Sequence, residues 1–213
     1  MHSTLNALLV MVLGLNLFAL GNGRLRAIIR IVAVQGALLG LMPLLVQGEI
    51  TWEVVAVSAV AVTLKGLVIP GMLMRALREA QIKREVEPLI GFLPSMLLGA
   101  LATGGALVFA DFLPLAHESH ASLLIPASLA TVLVGFLLLT TRYKAITQVI
   151  GYLVLENGIF IFGLLLIEAM PLVVEVGVLL DLFVAVFVIC IIVNHINRAF
   201  ESQDTRRLTE LKE

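Results

Sequence analysis

Charge is scarce in this sequence: Asp, Glu, Lys and Arg make up 14% of its 213 residues, and 60% are hydrophobic. A soluble core of this size needs a polar shell, and so few charges cannot coat one. That excludes a water-soluble globule and points to a polytopic membrane protein. Cysteine is nearly missing too. Cys190 stands alone in an apolar run, so no intramolecular disulfide can form. No nucleophile triad, Cys-rich cluster, phosphate loop or nucleotide fingerprint appears, so no active site of an enzyme is expected in this chain. The start, "MHSTLNALLV", lacks the basic region and small-residue cleavage site of a signal peptide and reads as the beginning of a retained span. Nucleic acid is not an expected partner; the lipid bilayer is.

What the sequence does have is apolar runs. A span needs about 20 mostly apolar residues, and seven segments qualify: 4–20, 26–46, 53–74, 89–113, 122–141, 144–168 and 171–194. They lack the alternation of barrel strands, so the expected fold is an all-α integral membrane protein of seven transmembrane helices. The fourth run opens "EPLIGFLPSM", and its two prolines predict a bend; Pro126 near the start of the fifth is harmless. The organisation expected is a three-helix segment (1–88), a linking helix and loop (89–121), a second three-helix unit (122–200) and a charged tail (201–213).

Basic residues are unevenly spread. Thirteen of fourteen fall in the first, third and fifth connections or after the last span; "QGEITWE", "DFLPLAHESHA" and "IEAMPLVVE" have none. The positive-inside rule then predicts a periplasmic N-terminus and a cytoplasmic C-terminus.

The exception is Lys65, 13 residues after Trp52 and so about 20 Å into the third helix. Glu156 is about 18 Å past Lys144 by the same rise, and Asp181 is central in the seventh run. An ionised side chain at that depth costs about 2.5–3.5 kcal/mol or more. Lys65 paired with one acid would be a plain salt bridge, leaving the second acid over. One lysine and two acids suit a proton relay better, since burial brings their proton affinities together. Glu168, Glu175, His195 and Asn157 are accessory candidates; solvated helix ends, an interfacial cap and interhelical glue are their plainer readings. Two histidines in a polar turn, His117 and His120, do not make a metal site. Pro70 cannot donate to the carbonyl of Gly66 and predicts a helix bend beside Lys65. Gly151 and Gly158, seven apart, predict a close helix approach.

"GRLRAIIRIVAVQGALLG" and "TRYKAITQVIGYLVLENG" align with Arg24 opposite Arg142 and Gly40 opposite Gly158, a pattern that a parallel duplication would leave. The stretch "TRYKAITQVIGYLVLENGIFIFG" followed by "EVGVLLDLFVAVFVICIIVNHINR" resembles the K subunit of respiratory complex I (NuoK). In that family a basic turn precedes a mid-membrane glutamate, matched here by Glu156, and the next helix carries a second acid, matched by Asp181. Seven spans with an N-terminal extension resemble hydrogenase-4 component E (HyfE). This resemblance implies a proton-translocating subunit in the bacterial or archaeal cytoplasmic (inner) membrane, within a group 4 hydrogenase or formate hydrogenlyase complex. It implies antiporter-like and other membrane-arm partners and a peripheral hydrogenase-like module. The iron-sulfur clusters and a nickel-iron centre would lie in those partners, with no cofactor in this chain. A stand-alone or Mrp-like cation/proton transporter subunit and a passive membrane anchor are the alternatives. Scattered Ser, Thr, Asn and Gln offer no evident solute site, and an anchor leaves three deep charges unexplained.

Overall fold

The computed structural model describes residues 2–46, 51–79, 86, 88–113, 123–166 and 177. Helix α1 (His2–Gly21) ends where Gly21 and Gly23 interrupt the apolar run, and α2 (Leu25–Leu41) begins after Arg24, whose carbonyl accepts from the N–H groups of Ala27 and Ile28. Pro43 cannot donate into the ladder, so α2 tightens at Met42 and continues as the single turn α3 (Pro43–Val46). Thr51 caps α4 (Trp52–Ala61) by accepting from Val54 N–H at 3.4 Å. A π-helical segment (Val62–Val68) follows without a break and runs into α5 (Ile69–Glu79). Beyond these lie α6 (Phe92–Asp111), α7 (Leu124–Thr140) and α8 (Ala145–Leu166).

Among the described residues the chain is nearly all helical. Five stretches are long and apolar enough to cross a bilayer: Ser3–Gly21, Leu25–Val46, Trp52–Arg78, Phe92–Asp111 and Ile146–Leu165; Leu124–Thr140 is apolar but shorter. These are the helices of a multi-pass membrane protein. On α6, Leu93, Leu97, Leu101 and Val108 form an exposed apolar stripe at helical spacing, a surface suited to lipid rather than water.

The bend expected at the opening of the fourth run falls at Leu89 and Ile90, ahead of the helix rather than within it. Pro88 lies ahead of α6, in an isolated antiparallel bridge to Arg142, and Leu89 N–H donates to Thr141 O at 2.9 Å. The helix starts at Phe92, which puts Pro94 in the first turn, where its N–H is not needed. One proline precedes the helix and the other fits its entry.

Packing is closest between α7 and α8. A methyl group built on Gly151 would come within 2.6 Å of Leu139 N, and one on Gly158 within 2.6 Å of Val132 N. Both glycines of the expected pair therefore face α7 and let the two backbones touch. Helix α2 sits between the π segment and α8 and contacts both, while α1 packs on α2, α6 and α7.

The buried apolar residues divide into two layers. One includes Ala19, Leu20, Val32, Val134, Leu153 and Val154; the other includes Val12, Leu39, Ala127 and Ile161. On each of α1, α2, α7 and α8 one polar residue stands between them: Asn16, Gln35, Thr131 and Asn157. Each lies three or four residues, about one turn, from core residues of both layers. A polar layer is thus sandwiched inside the bundle.

Candidate functional site

Lys65 sits inside the π segment. The wide turn closes with Ile69 N–H donating to Leu64 O, five residues back, immediately before Pro70. Thr63 adds a side-chain bond to Ala59 O at 2.7 Å, a contact that itself bends helices. In the sequence, Pro70 marks a weak point next to Lys65. Its form is a wide turn, which rotates the lysine relative to a regular helix.

Glycine then gives Lys65 its route. A methyl group on Gly36 would meet Lys65 Cβ at 2.7 Å and its carbonyl oxygen at 2.8 Å. A methyl group on Gly40 would likewise come within 2.7 Å of Val62 N, and one on Gly66 within 3.2 Å of Ala37 Cβ. The π segment therefore lies directly on α2, and the lysine stem crosses it where α2 has no side chain.

Beyond α2 the ammonium meets Glu156. Lys65 Nζ is 3.1 Å from Glu156 Oε1, with the two side chains only 11% and 6% exposed. Phe160, one turn after Glu156 on α8, places its ring centroid 4.7 Å from the same Nζ, a cation–π contact worth about 0.5–2 kcal/mol. A space of about 10 Å³ adjoins the pair, lined by Gly36, Lys65, Pro70, Glu156 and Asn157 among others. That is close to the smallest size that can hold one water.

Asn157 leads away from this pair into the polar layer. Its Nδ2 donates to Gln35 Oε1 at 3.3 Å, Gln35 Nε2 to Asn16 Oδ1 at 2.9 Å, and Asn16 Nδ2 to Thr131 Oγ1 at 2.8 Å. Thr131 in turn donates to Ala127 O at 2.7 Å. Four helices are linked by one buried chain. Of its members the sequence singles out Asn157 alone; Asn16, Gln35 and Thr131 read there as scattered polar residues. The available signal is their common position, one per apolar run and each flanked by core residues.

The structure therefore brings Lys65, Glu156, Asn157 and Pro70 to one place. Asp181, Glu168, Glu175, His195, His117 and His120 lie outside the described residues. Among the described residues no group of three His, Cys, Asp or Glu converges as a metal site.

A second buried charge lies elsewhere. Arg142, read from sequence as a marker of a basic connection, is 1% exposed. Its Nη2 donates to Leu20 O at 2.9 Å, in the last turn of α1, and its guanidinium lies over the Phe92 ring at 5.3 Å. Burial lowers its pKa from the usual arginine value, yet an arginine remains cationic at any working pH. A cation on the carbonyl end of α1 also complements the helix dipole. This residue fastens the α7–α8 turn to the end of α1 and the start of α6. A larger cavity, about 590 Å³, opens nearby between Asn22, Gly23, Arg24, Ala27, Val86 and Phe92, and does not include the ion pair.

Over 194 residues the chain is 37% identical to the uncharacterized protein Rv0085 of Mycobacterium tuberculosis (strain ATCC 25618 / H37Rv), a match spanning 89% of this chain and 87% of that one. The two belong to one family. No family model matches the chain, and no solved structure matches it. The shared region is nearly the whole of both proteins.

Proposed function

We propose that this protein is a proton-translocating membrane-arm subunit of a complex I-like machine, of the HyfE type, in a group 4 hydrogenase or formate hydrogenlyase complex. The observation that carries the reading is the Lys65–Glu156 pair: two ionisable groups 3.1 Å apart inside apolar helices, beside a water-sized space. A proton can pass from the ammonium of Lys65 to the carboxylate of Glu156, leaving an amine and a carboxylic acid. In a low-dielectric site the charged and neutral forms of such a pair lie close in energy, because Coulomb attraction and desolvation nearly cancel. Asp181, one helix further on in the NuoK-like unit, is the next acceptor in this proposal. Seven spans, a periplasmic N-terminus and a cytoplasmic C-terminus complete it. Antiporter-like subunits would exchange protons laterally with the pair, and the redox centres would reside in peripheral partners.

The test is proton uptake in vesicles carrying the native complex, normalised to electron flux. Glu156→Gln keeps size and an acceptor for Lys65 but cannot titrate. It is expected to lose most coupled pumping while electron transfer is less affected. Adding Asp181→Asn should cost little more if both serve one path. An unchanged proton-to-electron ratio in the double variant refutes the relay. The close ion pair with its aromatic contact also favours a second reading, a static lock between α8 and the third span. In that case Lys65→Ala loses assembly without any transport-specific defect.

A further inference from the structure

The buried chain from Asn157 to Thr131 has a direction, and one atom sets it. Thr131 has a single hydroxyl proton, committed to Ala127 O at 2.7 Å. Its oxygen can then only accept from Asn16, so Asn16 must present its amide nitrogen to Thr131 and its oxygen to Gln35. Gln35 must in turn give its nitrogen to Asn16 and its oxygen to Asn157. Asn157, which lines the space beside the pair, is left with its nitrogen committed to Gln35. An Asn or Gln amide can otherwise turn over at almost no cost. Here each turn is fixed by the next, back to one threonine.

We infer that Thr131 is a positioning residue for the Lys65–Glu156 pair: it orients the amides of Asn16 and Gln35 so that their oxygens lie on the side of Asn157, the residue that lines the space beside the pair. Aligned hydrogen bonds polarise one another in a low-dielectric interior. Their negative ends favour a proton held on the pair, whether on the lysine or on the acid. Among the described residues the charged group shown facing Glu156 is Lys65; α2 presents Gly36 and Gln35 near it and α5 presents Pro70, none of them ionisable. The inference rests on the pair being the proton-handling site, but its test does not depend on transport.

The measurement is infrared spectroscopy of the full-length protein in lipid nanodiscs across pH. The Glu156 band is assigned by its loss in Glu156→Gln, as a carboxyl stretch where protonated and a carboxylate stretch where ionised. Thr131→Val keeps the shape but frees the chain to reverse. It is expected to move the titration of that band by about half a pH unit or more toward acid, or to shift the carboxylate frequency if the band does not titrate. Thr131→Ser restores the hydroxyl and is expected to match the parent. Asn16→Ala, which cuts the chain one link later, should reproduce the Thr131→Val effect and serves if that variant folds poorly. An unshifted band in both Thr131→Val and Asn16→Ala overturns the assignment, as does an equal shift in Thr131→Ser. A normal proton-to-electron ratio in Glu156→Gln would instead count against the relay and leave the orientation standing.

Discussion

Removing Lys65 alone should cost far more than removing the whole ion pair. At 3.1 Å and an effective dielectric of about 20, the attraction is about 5 kcal/mol, and most of it offsets the cost of burying both charges. Lys65→Met leaves Glu156 buried without the ammonium, so a loss of about 3–5 kcal/mol is expected where the acid is ionised. The double variant Lys65→Met/Glu156→Leu removes both charges of the pair together, and its stability should fall within about 1 kcal/mol of the parent or exceed it. Glu156→Gln should be gentler than Glu156→Leu, since Gln still accepts from Lys65. The assay is unfolding of the purified protein in mixed micelles, run as a double-mutant cycle. A coupling energy of about 3 kcal/mol or more supports the buried pair. Additive losses, with coupling below about 0.5 kcal/mol, would refute it.

Gly36→Ala should displace the π segment, because the added methyl meets both Cβ and backbone oxygen of Lys65 below 3 Å; a loss of about 1–3 kcal/mol is expected, and an unchanged unfolding midpoint would contradict the crossing. Arg142→Gln should destabilise the protein by about 1–3 kcal/mol by removing the charge-assisted bond to Leu20 O. Arg142→Lys should fail to restore it fully, since an ammonium cannot stack as a planar fork over Phe92; full recovery in thermal unfolding would reduce Arg142 to a point charge.

Depth can be read from sequence, while direction and contact cannot. A rise of about 1.5 Å per residue, counted from the ends of the apolar runs, is enough to put Lys65 and Glu156 at similar depths. Which way Lys65 points depends on the π segment, and a seven-residue change of helical register leaves no apolar periodicity to read in a run that is apolar all round. Pro70 marks the place without giving the form. Pro88 and Pro94 mark the opening of a span without showing its first residue: the helix begins between them. Arg142 misleads through a rule about averages. Basic residues at span ends are usually solvated or at lipid phosphates, and only the Leu20 carbonyl and the Phe92 ring, far away in sequence, reveal this one as buried.

The polar layer explains why the ion pair sits where it does. A lone Lys–Glu contact in an apolar bundle has no reason to prefer one turn of α8 over the next. Asn16, Gln35, Thr131 and Asn157 remove that freedom, because a polar group buried without partners costs about 1–3 kcal/mol and these three amides and one hydroxyl satisfy one another in a single register. Sliding α8 by one turn would break the bond between Asn157 and Gln35 and press Gly151 and Gly158 off the Leu139 and Val132 backbones. The register fixed by Asn157 also fixes its neighbour Glu156, and that position is the one reached by a lysine crossing α2 at Gly36. The glycine gap, the wide helical turn and the amide chain are therefore three constraints on one distance. Loosening any of them should lengthen the contact between Lys65 and Glu156 before it unfolds the helices that carry them.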